Sequence, residues 1–222
     1  MRHASIYVTR LLLPTGISAN ALTWMMIVSG LAAAAIITVP ALWSALLGLL
    51  LVQLYLLLDC IDGEVARWRR TTSPTGIYLD RIGHYSCEAA LFAALGVRAD
   101  GGTIAGWTTL GLLGAVLALC NKAETDLVHV ARAMAGLRTV ADEAAAPRPA
   151  ALRGVRRLAA IVPFHRAIGA VELSILVVVA AVVDSVTGTL TGMRALTLGV
   201  VVIAGVVVVG HLVSILASSR LR

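Results

Sequence analysis

Long apolar runs recur along this chain, each close to the roughly 20 residues that carry a helix across the hydrocarbon core of a bilayer. They cover about Ala21 to Val39, Ala41 to Arg67, Pro74 to just before Arg98, Ile104 to Cys120, Leu158 to Val183 and Leu196 to Ala217. That pattern predicts an all-α, polytopic membrane protein with six transmembrane helices. Hydrophobic residues make up 59% of the chain and charged residues only 14%, which excludes an ordinary soluble domain. The breaks between runs are short: Pro40 separates the first two, and Arg98-Ala99-Asp100-Gly101-Gly102 follows the third. The fourth run turns polar through Lys122, Glu124, Asp126, His129 and Arg132 without losing helix formers, so its helix should continue past the membrane surface. Arg138 to Arg157 is rich in Ala, Pro and Arg and reads as a loop. Residues 1–20 mix Ile6, Val8, Leu11 and Leu12 with Arg2, His3 and Arg10, the composition of a short interfacial helix. The first run starts too late and is too long for the apolar part of a cleaved leader. Cys60, Cys87 and Cys120 have no paired spacing, so no disulfide framework is expected.

Cationic residues orient the bundle. With six spans, sixteen of the eighteen Lys and Arg fall on the side holding both termini, and only Arg98 and Arg194 fall on the other. The positive-inside bias therefore makes both termini, and the loops after spans two and four, cytoplasmic. The net charge of +6 belongs to this skirt, where anionic lipid head groups explain it better than nucleic acid does.

Three acidic residues stand against this apolar background. Asp59 and Asp62 lie near the cytoplasmic end of span two, and Asp80 lies near the cytoplasmic start of span three. Ionisable side chains at membrane depth are costly and mark functional sites, and three carboxylates gathered together call for a cation. On a helix Asp59, Asp62 and Ala66 share one face, as do Gly76, Asp80 and His84. Antiparallel packing of spans two and three brings the two faces together. Hard oxygen donors suit Mg²⁺ or Mn²⁺, and these suit phosphate substrates. Gly63 and Gly76 allow close approach to the backbone, and Arg67 can hold a phosphate bidentately.

The segment Asp59-Cys60-Ile61-Asp62-Gly63-Glu64-Val65-Ala66-Arg67, followed at fixed intervals by Gly76, Asp80 and His84, resembles the signature of the CDP-alcohol phosphotransferases (CDP-alcohol phosphatidyltransferases), D-x2-D-G-x2-A-R-x8-G-x3-D-x3-D. Seven of its eight fixed positions match with every spacing kept, and Asn20 and Thr23 add a weaker Asn-x-x-Thr at the first span. The resemblance implies one transmembrane domain of this family over residues 1–222, in the cell (inner) membrane. It implies transfer of a phospho-alcohol, most commonly phosphatidyl, from CDP-diacylglycerol or another CDP-alcohol to an acceptor alcohol, which can itself be phosphorylated, with release of CMP. Position by position, Asp59, Asp62 and Asp80 would hold Mg²⁺ or Mn²⁺, and Asp62, Gly63, Ala66, Arg67 and Gly76 would line the nucleotide. His84 departs from the family, standing where its last Asp serves as general base and often as a second metal ligand. Neutral imidazole can take that proton, with a reference pKa of about 6.5. It can equally act as a ligand or substrate contact, or mark altered chemistry. Homodimers are common in the family.

Arg132, Arg153 and Arg166 are candidates for holding an acceptor phosphate, against a simpler reading as positive-inside anchors. Glu88, one turn beyond His84, is a candidate for orienting the imidazole. The competing function class is a non-catalytic transporter or metal-binding bundle. Transporter sites tend to lie at the bilayer midplane, between broken helices. Carboxylates near one surface, accompanied by Arg67 and glycines, favour the enzyme.

Overall fold

A computed structural model describes residues 2–137 and 169–218, and among them every regular element is a helix. Seven are present: α1 (Arg2–Leu12), α2 (Ala19–Ile37), α3 (Leu42–Trp68), α4 (Pro74–Ala99), α5 (Gly106–Met134), α6 (Ala170–Thr187) and α7 (Thr191–Ala217). By length and composition α2, α3, α6 and α7 can each cross a membrane. The helices α4 and α5 are as long, with 26 and 29 residues, but neither contains a stretch as apolar as those four. Residues 158–168 of the expected fifth span lie outside the described residues, as do Arg153 and Arg166.

Several boundaries move from their sequence-based positions because side chains cap the helices. Ser18 accepts from the Ala21 N–H, so α2 begins at Ala19 rather than Ala21. Both carboxylate oxygens of Asp184 accept from the N–H groups of Gly192 and Met193, which starts α7 at Thr191 instead of Leu196. Ser73 accepts from the Gly76 N–H with Pro74 in the first turn, and α4 starts at Pro74 as its sequence predicts. At its far end α4 runs through Arg98, which was expected to lie beyond it, because that side chain is buried. Its guanidinium donates to the carbonyls of Ile37, Val39 and Ala41 and to Ser44 Oγ, tying α4 to the turn between α2 and α3. Arg98 is thus a lock inside the fold rather than a charge in a loop.

The helix α2 packs against both α3 and α4; α5 covers α4, α7 covers α5, and α6 lies between α3 and α7. Where α4 meets α5 the backbones touch through Gly96 and Gly111. A Cβ on Gly96 would stand 2.5 Å from the Trp107 carbonyl oxygen, and one on Gly111 would stand 2.7 Å from that of Phe92. Such small-residue contacts set helix approach in lipid, where apolar side chains gain little by leaving lipid for one another. Apolar residues of α2, α3 and α4, among them Leu22, Met26, Tyr55, Ile61, Val65 and Cys87, form a buried cluster. Interleaved with them on α3 are Asp59 and Asp62, so the same packing that buries the cluster aims the carboxylates.

The amphipathic α1 lies on α3. Both oxygens of Glu64 are engaged there, accepting from Ser5 Oγ at 2.7 Å and Thr9 Oγ1 at 2.6 Å. From the end of α3, Arg69 donates to the carbonyls of Leu12, Leu13, Thr15 and Ile17, which fixes the path from α1 into α2. The chain leaves α3 through Arg70 at φ 54°, a left-handed residue that lets the Thr71 N–H reach back to the Ala66 carbonyl.

Candidate active site

The last two turns of α3, the first turns of α4 and the start of α2 enclose a cavity of about 290 Å³ that opens at one end of the bundle. Its wall contains Asp59, Asp62 and Asp80 and also Gly63, Ala66, Arg67 and Gly76, which are all the expected metal and nucleotide positions. The spacing of α3 accounts for this: Tyr55, Asp59, Asp62 and Ala66 follow one another at helical intervals along one stripe. On α4, Gly76, Asp80 and His84 form the opposing stripe. Among the described residues Arg67 is the one cation in this wall, so three carboxylates face a single guanidinium.

At the edge of the cavity, Asp59 and Asp80 of its wall group with His84, each offering one donor atom, with all three atoms inside 4.8 Å of one another. His84 Nε2 stands 3.0 Å from Asp59 Oδ1 and 3.5 Å from Asp80 Oδ1. The other ring nitrogen, Nδ1, is 2.6 Å from the hydroxyl of Tyr55, a residue buried in the apolar cluster. Asp62 stands apart from this trio. Its Oδ2 accepts from Thr23 Oγ1 at 2.6 Å, and both residues are buried. The sequence-based grouping of Asp59, Asp62 and Asp80 therefore becomes, in space, Asp59, Asp80 and His84 with Asp62 beside them.

An excess of carboxylates over cations, with oxygen and imidazole donors converging, is a donor set that fits a divalent metal ion. Neighbouring acidic groups are accounted for differently. Asp126 is neutralised by Arg81 at 2.7 Å and accepts from the Tyr85 hydroxyl, and Glu88 pairs with Lys122 at 2.8 Å. Glu88 consequently does not orient His84; Tyr55 and the two aspartates do. Arg67 folds back across Gly63, where a Cβ would lie 3.1 Å from its Nη1, so this glycine leaves room for the guanidinium over the helix backbone. A Cβ on Gly76 would come within 3.1 Å of Asn20 Oδ1, the residue through which α2 closes the cavity. Arg132 is buried on α5 and does not line the cavity.

Sequence reasoning missed Tyr55 and gave Thr23 little weight. The signal for Tyr55 was present, as a polar aromatic one turn before Asp59 in an otherwise apolar run. Glu64 and Arg69, which fasten α1 beside the cavity, had no comparable signal.

Comparison with known proteins bears on the whole of this arrangement. The family model for CDP-alcohol phosphatidyltransferase matches residues 16–217. No curated protein and no solved structure matches the chain.

Proposed function

Because the chain belongs to the CDP-alcohol phosphatidyltransferase family, we propose that it transfers the phosphatidyl group of CDP-diacylglycerol to an acceptor alcohol and releases CMP. The observation that carries this reading is the convergence of Asp59, Asp62, Asp80, Arg67 and two glycines on one cavity at the end of α3 and α4. Phosphoryl transfer depends mostly on positioning and charge neutralisation, and the wall offers means for both. Arg67, lying over Gly63, presents a planar guanidinium to the pyrophosphate, while Ala66 and Gly76 leave space for the cytidine nucleotide.

The acceptor oxygen forms a new bond to the β-phosphorus, the bond from that phosphorus to the bridging oxygen breaks, and CMP leaves with its electron pair. When bound by the aspartates, Mg²⁺ or Mn²⁺ supplies neutralisation of the pyrophosphate charge. The acceptor's proton must also leave. His84 at the last motif position is the expected base, a role that needs the Nε2 lone pair free for the acceptor hydroxyl. The contacts of Nε2 with Asp59 and Asp80 favour a second role, as a ligand beside them. Arg153 and Arg166 remain the proposed pair for an acceptor phosphate, whereas Arg132, buried on α5 and outside the cavity wall, is not part of it.

The same reading takes the protein as a six-span chain of the inner membrane with both termini and the cavity facing the cytoplasm, which sixteen cations on that side support. Labelling of introduced cysteines from outside should reach positions 101 and 189 and spare positions 72 and 145. The function itself is tested by CMP release from CDP-diacylglycerol in micelles, with Mg²⁺ or Mn²⁺ and a panel of acceptor alcohols. Release should depend on one class of acceptor, and Asp59→Asn, Asp62→Asn or Asp80→Asn should each abolish it. Near wild-type turnover in all three variants would overturn the assignment.

A further inference from the structure

We propose that His84 is a metal ligand through Nε2, that Tyr55 holds the imidazole in position for this, and that the site therefore selects Mn²⁺ and later first-row dications over Mg²⁺. The inference rests on reading the cavity as a metal-dependent transferase site and adds a ligand and a metal preference to it.

The geometry of His84 leads to it. Ligands about 2.1 Å from one ion and about 90–110° apart are separated by about 3.0–3.5 Å. Nε2 stands 3.0 Å from Asp59 Oδ1 and 3.5 Å from Asp80 Oδ1. Its lone pair would point between two carboxylates, an arrangement that calls for something positive among them. Either Nε2 carries a proton and donates it to Asp59, or it is unprotonated and shares a cation with both aspartates. In neither state is the nitrogen free to take a proton from an alcohol.

Tyr55 accommodates both states without moving the ring. A phenol hydroxyl can donate to Nδ1 when Nε2 is protonated, or accept from Nδ1–H when Nε2 binds a cation. Its oxygen is 2.6 Å from Nδ1, its ring meets the imidazole edge-on at 5.9 Å and 84°, and its side chain is 1% exposed. Metal-bound histidines characteristically engage the second ring nitrogen in this way, which fixes ring orientation and strengthens the donor. Tyr55 is thus a positioning residue that acts through His84.

A metal preference follows from the donor change. Mg²⁺ is a hard ion that takes oxygen ligands and gives up water reluctantly. Sites with imidazole nitrogen bind first-row transition dications with affinity rising from Mn²⁺ through the series to Cu²⁺. An Asp at position 84 would complete an all-oxygen set, and the histidine tilts the set away from Mg²⁺.

The test uses the purified full-length protein in micelles with Mn²⁺ alone as probe. Pulsed electron paramagnetic resonance of bound Mn²⁺ should show modulation from a directly coordinated ¹⁴N. The signal should vanish in His84→Asp and persist in Tyr55→Phe, whose Mn²⁺ affinity should fall by about 10- to 100-fold. By equilibrium dialysis wild type should prefer Mn²⁺ to Mg²⁺ by at least about tenfold, and His84→Asp should narrow that ratio several-fold. Wild-type Mn²⁺ bound without ¹⁴N coupling would overturn the ligand role while leaving a metal site in place, and this needs no variant to fold. If neither Mn²⁺ nor Mg²⁺ bound the wild-type protein, the metal-dependent reading itself would fall.

Discussion

Replacing Thr23 by valine keeps the volume of the side chain and removes one hydroxyl, whose hydrogen goes to Asp62 Oδ2 at 2.6 Å. The two residues are 4% and 7% exposed, so the carboxylate loses this donor where solvent hardly reaches. A hydrogen bond to a charged group contributes about 1.5–3 kcal/mol net. The cavity borders Asp62 on its other side, and water there recovers part of the loss, which points to the lower portion of that range, about 1.5–2 kcal/mol. At about 1.4 kcal/mol per tenfold, kcat/KM for CMP release should fall by about 10- to 30-fold. Thr23→Ser, which retains the hydroxyl, should stay within about threefold of wild type. The assay is CMP release in micelles, accompanied by circular dichroism to show that helix content is unchanged. If Thr23→Val turned over within about twofold of the native enzyme, Asp62 would not depend on this bond for its part in turnover.

Arg67→Lys should lower kcat/KM by about 10- to 100-fold, mainly through KM for the CDP donor, because an ammonium cannot reproduce the guanidinium's paired contacts to a phosphate; an unchanged KM would remove Arg67 from the donor site. Arg98→Ala should destabilise the protein by about 3 kcal/mol or more, since it strips donors from carbonyls where α2 ends and α3 begins. Unfolding in mixed micelles would show this, and an unaltered transition would contradict the lock. Asp100, past the end of α4, caps α5 by accepting from the N–H groups of Ala105, Trp107 and Thr108 and from Thr108 Oγ1. Desolvation pushes its carboxyl upward, but these bonds outweigh it and hold the group below the usual aspartate range. A depressed folded-state value stabilises the protein above the ordinary range and ceases to do so as pH falls through the depressed value. Melting temperatures of wild type and Asp100→Ala should therefore differ at neutral pH, begin to converge below about pH 4 and finish doing so only below the depressed value; a gap independent of pH would refute the cap's ionic character.

Much of the site was legible because it is written at helical spacing within two contiguous segments. Asp59, Asp62 and Ala66 on one helix, and Gly76, Asp80 and His84 on the next, must share faces once the segments are helical. The expected direct packing of these two helices on each other is not what joins the faces: α2 packs against both α3 and α4 and brings Asp59 and His84 together. The start of α4 at Pro74 was equally local, since its cap and first turn are adjacent in the chain. Glu88 shows the limit of such reasoning. Its spacing allows it to orient His84, but on the folded protein the nearby Lys122 of α5 takes it.

The sequence by itself determined the all-helical character, the apolar lengths and the stripe of carboxylates, because helical period and transfer into lipid depend on residues close together along the chain. Tertiary structure alone decided that Tyr55 holds His84, that Thr23 takes Asp62 away from the trio, that Glu64 fastens α1, and that Arg98 is buried. Each of these pairs joins different helices, and whether such side chains meet depends on how far each helix is rotated and how closely it approaches its neighbour. Those quantities come from packing, such as the backbone contact of Gly96 with Gly111 and the fit of Gly83 against Met26 and Ile27, which no spacing within one segment encodes.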